Sequence, residues 1–320
     1  MSLRVQGLTV HYRTLRGAVR ALEDATFTQA DGEIMGLAGE SGCGKTTLSN
    51  SLILLVPPMR HVGGRALLDD VELPISDFNA MNRFRFVEIS VIPQYAMNAM
   101  NPTRKIGRMA SELLRSRGID ARKALPELER RLDLVELTHD VLKMYPIELS
   151  GGMKQRMVMV LSTLMDPSLL LADEITSALD VSTQKAVAKM LVGFRDRKIV
   201  KSVIVITHDM SILYQIADSI LIMYAGQLAE KASTETIIHA PRHPYTKLLI
   251  TSLPKVGVKH DVTQLAGIPG KPPLLLDPPE GCRFRERCPV AFEKCRDVPP
   301  FVEIEPGHFV ACWREANADA

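Results

Sequence analysis

Eight residues constrain this chain more than any others: Gly39-Glu40-Ser41-Gly42-Cys43-Gly44-Lys45-Thr46. They fit the pattern G-x-x-x-x-G-K-[ST] without a gap. Ahead of them, Glu33-Ile34-Met35-Gly36-Leu37-Ala38 reads as a short buried strand entering the turn. Behind them, Thr47 to Leu55 reads as the helix leaving it, stopped by Pro57-Pro58. Glycines let the backbone wrap an anion with its N–H groups inward, and a helix N-terminus adds partial positive charge. Gly39, Ser41, Gly42, Cys43, Gly44, Lys45, Thr46 and Thr47 together form the expected phosphate cradle. Lys45 can reach the β- and γ-phosphates of a nucleotide, and the Thr46 hydroxyl can hold Mg²⁺.

At 320 residues, the chain has room for one large domain with an appendage, or for two domains. A hydrophobic content of 46% supports a large core. The net charge is +2, so bulk electrostatics gives no case for nucleic acid or an anionic membrane. No apolar run approaches the length of a membrane span, and Met1 to Val5 lacks an apolar signal region. The expectation is a cytoplasmic protein whose membrane role, if it has one, comes through a partner.

Residues 3–30 alternate as strands around Leu8 to Tyr12 and Ala25 to Phe27, with a basic, loop-like stretch from Arg13 to Arg20. Tyr12 reads either as a half-buried strand tyrosine or as a ring placed to stack on adenine. Residues 60–95 read as strands and turns ending at Gln94, which is either a solvated loop residue or a polar end piece near a γ-phosphate. Residues 105–145 are the most helical, and Pro126 is read as interrupting them to give at least two helices. Ser150-Gly151-Gly152 then opens an apolar helix, either as a second phosphate cradle or as a plain N-cap. Leu169 to Ala172 reads as a buried strand ending in Asp173, suited to hold Mg²⁺, and Glu174, suited to deprotonate water. Ser177 to Asp180 is a turn, and Val203 to Thr207 is a strand ending at His208. Beyond about residue 233, proline accumulates and the chain reads as mostly irregular.

Taken in order, these motifs resemble the ATP-binding-cassette (ABC) ATPases over residues 3–230. His243-Pro244-Tyr245-Thr246, Ile268-Pro269-Gly270, Gly281-Cys282-x-Phe284-x2-Arg287-Cys288 and Gly307-His308-x-Val310-x-Cys312 are similar to the tail of the oligopeptide/dipeptide permease ATP-binding subunits. The resemblance implies an α/β fold: a P-loop NTPase core with an antiparallel β subdomain, an inserted helical subdomain at about 96–160, and an irregular Cys-containing region. The ATPase domain would span 1–235 and the tail 236–320.

It also implies roles. Tyr12 would stack on adenine, and Gln94 would couple Mg²⁺ and water to the transmembrane partner. Ser150, Gly151 and Gly152 would close on the ATP of a second, paralogous ATPase subunit. Asp173 would hold the metal, Glu174 would act as general base, and His208 would sense the γ-phosphate. The implied partners are transmembrane permease subunits and, indirectly, an extracytoplasmic solute-binding protein, with the chain peripheral on the cytoplasmic face of the membrane. The implied cargo is a peptide, an oligosaccharide or nickel. Two other readings are a soluble ABC-type ATPase in DNA repair or translation, and a non-hydrolysing regulatory subunit. Ile175, where the family usually has proline, is the one departure; it leaves the turn after Glu174 less rigid and the hydrolysis rate open.

Four of the five cysteines lie beyond residue 280, spaced Cys282-x5-Cys288-x6-Cys295-x16-Cys312. Zinc sites usually show C-x2–4-C pairs, and none occurs here. The wider spacings, and Pro289 after Cys288, lean toward a [4Fe–4S] cluster, which the tail resemblance also implies; zinc and unliganded thiols are the other readings.

Overall fold

A computed structural model describes residues 3–94, 99–175, 180–252 and 267–316. The chain forms two compact units, one comprising everything up to Arg83 and from Val205 onward, the other Phe84–Ile204. The first segment holds β1 (Leu3–Thr14), β2 (Gly17–Gln29), β3 (Ile34–Ala38), α1 (Lys45–Ile53), β4 (Met59–Leu68), β5 (Val71–Glu72) and α2 (Phe78–Met81). The second unit holds β6 (Ile89–Ile92), α3 (Ile106–Arg115), α4 (Ala121–Leu134), α5 (Gly151–Thr163), β7 (Leu169–Asp173), α6 (Val181–Asp196) and the start of β8 (Ser202–Ile206). The chain then returns to the first unit with α7 (Met210–Ile216), β9 (Ser219–Tyr224), β10 (Gln227–Ser233), α8 (Thr234–His239), α9 (Pro244–Thr251), β11 (Val302–Glu305), β12 (His308–Val310) and α10 (Trp313–Ala316).

In the first unit, an antiparallel sheet runs β2-β1-β4-β5. The basic stretch from Arg13 to Arg20, expected to be a loop, is the tip of the β1–β2 hairpin: Tyr12 pairs with Val19 and Thr14 with Gly17. A second sheet there runs β11-β12-β10-β9-β3, with β3 parallel to β9. All five residues of β3 are buried, which explains its unbroken apolar run. A Cβ on Gly36 would lie 2.9 Å from Leu213 Cδ1, so glycine lets α7 pack close on β3. Ala225 (φ 47°) and Gly226 (φ 83°) make the two-residue turn between β9 and β10, left-handed at both positions as a type I′ hairpin requires. The tail is not wholly irregular: β12 pairs with β10 (Glu230 opposite Val310), and β11 pairs with β12.

In the second unit, β6 runs parallel to β7, and Ser202 N donates to Ser168 O at 3.0 Å to start β8. The expected pair of helices is present, but the break is not at Pro126. It falls at Gly118 (φ 76°), and Asp120 then caps α4 by accepting from Arg122 N. Pro126 sits inside α4; it forgoes one N–H bond there, next to exposed Leu125. Arg131, its side chain 1% exposed, pairs with Glu127 one turn back on α4 and binds α4 to the end of α5 through Asp166 and the Thr163 carbonyl. Among the described residues, no helix is long and apolar enough to cross a membrane.

Candidate active site

The phosphate loop lies in the first unit, between β3 and α1. Gly39 (φ 146°) and Gly44 (φ 108°) are required twice over: a Cβ on Gly39 would meet Met223 O at 2.2 Å, and one on Gly44 would meet Ala21 O at 2.3 Å. Gly42 (φ 78°) needs only the backbone freedom. Gly44 is the N-cap of α1, and no side chain caps the helix, so its first N–H groups are left for another acceptor. Lys45 is buried, and its ammonium donates to Gly39 O (2.7 Å) and Glu40 O (3.0 Å), inside the curve of the loop. Cys43 is buried beside it; burial pushes its thiol up, partly offset by the Lys45 charge. The small Sγ fits where Gly39 approaches, and its net raised pKa disfavours the reactive thiolate. Tyr12 reaches the same loop from β1, its hydroxyl 3.1 Å from Thr47 Oγ1. His208 follows β8 and is exposed; Thr207 N donates to Leu37 O of β3 at 3.4 Å, which sets the histidine beside the strand entering the loop.

The second unit gathers the carboxylates. Asp173 ends β7 and is 7% exposed. Glu174 turns sharply away with φ 46°, a left-handed conformation that costs a non-glycine residue about 1 kcal/mol or more. Gln94, just beyond β6, donates its amide to Glu174 Oε2 at 2.7 Å. The parallel pairing of β6 with β7 brings these two side chains, 80 positions apart, to one strand end. Ile175 is buried, so the side chain in the unusual position anchors the turn in the core. Ser150 caps α5, accepting from Met153 N at 3.3 Å, while Ser150 and Gly151 stay exposed. Of the turn expected at Ser177 to Asp180, residues 177–179 lie outside the described residues.

Three residues with a place at this loop were missed in the sequence. Glu40 N donates to the hydroxyl of Tyr245 (2.8 Å), and the Glu40 carboxylate accepts both terminal nitrogens of Arg287 (2.6 and 3.0 Å). In the sequence Tyr245 and Arg287 stand only as parts of tail motifs, and no local spacing links them to Glu40.

The four tail cysteines line one narrow cavity with Phe284, Phe292 and Trp313. Burial pushes the Cys282 thiol up to about 11 and raises those of Cys288 and Cys312. The donor set is that of a soft-metal site. Among the described residues, however, no group of three or more His, Cys, Asp or Glu is placed to hold a metal ion.

Comparison with known proteins fits this geometry. Residues 22–177 match the family described as ABC transporter, and residues 229–295 match the oligopeptide/dipeptide transporter C-terminal region. The chain is 38% identical to the dipeptide transport ATP-binding protein DppD of Bacillus subtilis, covering 97% of this chain and 94% of that protein. It is 36% identical to the oligopeptide transport ATP-binding protein OppD of Salmonella typhimurium, covering 98% and 93% respectively. Among solved structures, cbiO1 from Clostridium perfringens superposes with a TM-score of 0.65 at 20% identity, covering 74% of this chain and 90% of that one. The ATP-binding cassette MJ0796 bound to ADP and phosphate gives a TM-score of 0.62 at 24% identity, covering 72% and 98%. With these relatives matched over nearly the full length of both chains, the chain belongs to the ABC-transporter ATPases, in the branch that carries the oligopeptide/dipeptide C-terminal region.

Proposed function

We propose that this chain is the ATP-hydrolysing subunit of an importer for peptides or a related solute such as an oligosaccharide or nickel. The observation that carries the chemistry is Glu174, fixed by the Gln94 amide beside buried Asp173. In this reading, Gly39 and Ser41 to Thr47 hold the phosphates and Tyr12 meets the adenine. Thr46, Gln94 and Asp173 hold Mg²⁺, which supplies positive charge to the phosphate oxygens when bound. Glu174 takes the proton of the water whose oxygen attacks the γ-phosphorus, and the bond from γ-phosphorus to the bridging oxygen of ADP breaks. Gln94 keeps that carboxylate oriented, and His208 contacts the γ-phosphate.

The Ser150-Gly151-Gly152 turn, exposed at its first two residues, serves the ATP of a second ATPase subunit, a paralogue. Two subunits joined across ATP and parted by hydrolysis then drive transmembrane permease partners, fed by an extracytoplasmic binding protein. The names of the relatives support peptide cargo, and a net charge of +2 supports a partner other than nucleic acid. The place of work is the cytoplasmic face of the membrane.

The decisive experiment replaces Glu174 with Gln. Turnover should fall by about 10²- to 10⁴-fold while ATP binding persists and the ATP-bound pair of subunits accumulates in sedimentation. Unchanged turnover would remove Glu174 from the role of base.

We also propose that Cys282, Cys288, Cys295 and Cys312 hold a [4Fe–4S] cluster that pins the tail. Their spacing and their shared cavity support it, and the four thiols would have to draw closer together than they stand here to ligate it. Because burial favours the protonated thiols, loading would release protons and would weaken as pH falls. About four irons per chain with absorbance near ~400 nm is the expected result; anaerobic preparations without iron would rule it out.

A further inference from the structure

The second residue of the phosphate loop is an acid, and that is a liability. A carboxylate in a turn built to cradle a polyanion repels its ligand. The tail answers it from 247 positions away. Arg287 Nη1 and Nη2 form a two-pronged pair with the Glu40 carboxylate at 2.6 and 3.0 Å. The arginine is fully committed: Nε donates to Pro269 O (2.7 Å), Nη1 also to the Tyr224 hydroxyl (3.1 Å), and Nη2 also to Ile268 O (3.3 Å). Its five N–H donors thus have five acceptors. Its guanidinium carbon also lies 5.6 Å from the Tyr224 ring centre and 5.9 Å from that of Phe284. The Arg287 side chain is 5% exposed and that of Glu40 24%, so solvent screens the pair only in part.

The backbone of Glu40 is held as well. Its N–H goes to the hydroxyl of Tyr245, a residue with no exposed surface, and its carbonyl accepts Lys45 Nζ. The tail therefore decides which groups of the loop's first turn are free to face an anion. The Glu40 N–H and carboxylate are turned to the tail, while the uncapped N-terminus of α1 is not.

We propose that Arg287 is a positioning residue for nucleotide binding: it neutralises Glu40 and holds it against the tail, so that the loop presents net positive charge to the triphosphate. This rests on the assignment of Gly39–Thr46 as the ATP site and goes beyond it, because neither residue is expected to touch the nucleotide.

Charge arithmetic makes the test specific. MgATP affinity is measured on the purified full-length chain by calorimetry, alongside thermal unfolding. Arg287→Gln leaves the acid unopposed, and the dissociation constant should rise about tenfold. Glu40→Gln leaves the arginine unopposed, and binding should tighten about threefold. The double substitution restores neutrality and should bind within about threefold of the parent chain, although it lacks the same packing as Arg287→Gln. The gap between Arg287→Gln and the double variant should narrow as salt is raised. A purely structural role predicts the opposite: both chains carrying Arg287→Gln would melt early and bind alike.

A double variant as weak as Arg287→Gln overturns the inference, and so does unchanged binding in Arg287→Gln. If Arg287→Gln does not fold, Glu40→Gln alone decides, since binding that fails to tighten is equally fatal. Lys45→Ala is the control. If it binds MgATP as the parent does, the phosphate-loop assignment falls and takes this inference with it; if it binds weakly while Arg287→Gln is unaffected, only the inference falls.

Discussion

His243 shows how much one buried side chain commits. Its ring lies 4% exposed at the N-cap of α9, and Nδ1 accepts from Tyr245 N at 3.0 Å. An acceptor nitrogen must be unprotonated, so the ring is neutral with its proton on Nε2. Burial lowers its pKa to about 4, helped by the nearby Lys247 charge and opposed by a bond to the Ala311 backbone. Buried Glu230, which accepts His243 N, is the acid of this corner. Above about pH 6.5 neither the folded nor the unfolded chain carries the proton, and the stabilisation is complete. As pH falls toward 4 the unfolded chain takes up a proton that the folded one refuses, so stability is lost, by about 3 kcal/mol at most. Urea titrations at pH 7.5 and 4.5 should show that loss in the parent chain and a flatter profile in His243→Asn, which caps without titrating.

At the same scale, the sequence was informative only where chemistry is local. The loop glycines and Lys45 announce themselves by spacing. Arg287 does not, because its partner is brought to it by folding and not by period. Tyr245 was visible as part of a motif but not as the acceptor for a loop N–H.

Among elements, the fully buried strands were legible because both faces are apolar: β3, β7 and β8 each read as continuous hydrophobic runs. Two stretches depart from their sequence signals for opposite reasons. Arg13 to Arg20 is basic and reads as loop, but strand pairing with β2 overrides composition. Pro126 reads as a break, but α4 carries through it because Asp120 fixes the start of the helix and Leu128, Arg131 and Leu132 bury its face. The proline is therefore tolerated at a cost. Pro126→Ala should stabilise the chain by about 1–3 kcal/mol in urea unfolding, since alanine restores the helical N–H. No change, or destabilisation, would mean that the surroundings of α4 favour the ring. The tail strands were hidden by their brevity: β11 has 4 residues and β12 has 3, and both lie among prolines.

For the molecule as a whole, the tail belongs to the core of its unit. Glu230 has no exposed surface, and its carboxylate accepts from Arg242 N, His243 N and His308 Nε2, all supplied by residues beyond 240. Tyr224, Tyr245 and Phe284 form one aromatic cluster, with ring centres 4.6–5.4 Å apart. Ending the chain after Ala240 leaves a carboxylate buried without partners and Tyr224 uncovered. Removing the partners of a buried charge costs about 3–5 kcal/mol. The shortened chain should therefore appear in inclusion bodies or scatter light on refolding. A soluble product melting at the parent temperature would show that the ATPase part stands alone.

The placement of β11 has one more consequence. With β12 laid on β10, β11 becomes the outermost strand of that sheet, and an open strand edge invites other chains to add to it. This edge is poorly suited to such growth. It is only 4 residues long, Glu303 and Glu305 are exposed along it, and Pro299, Pro300 and Pro306 flank it. By ending the sheet on a short, acidic, proline-bounded strand, the tail guards the protein against edge-to-edge aggregation, a safeguard that β10 alone would not provide.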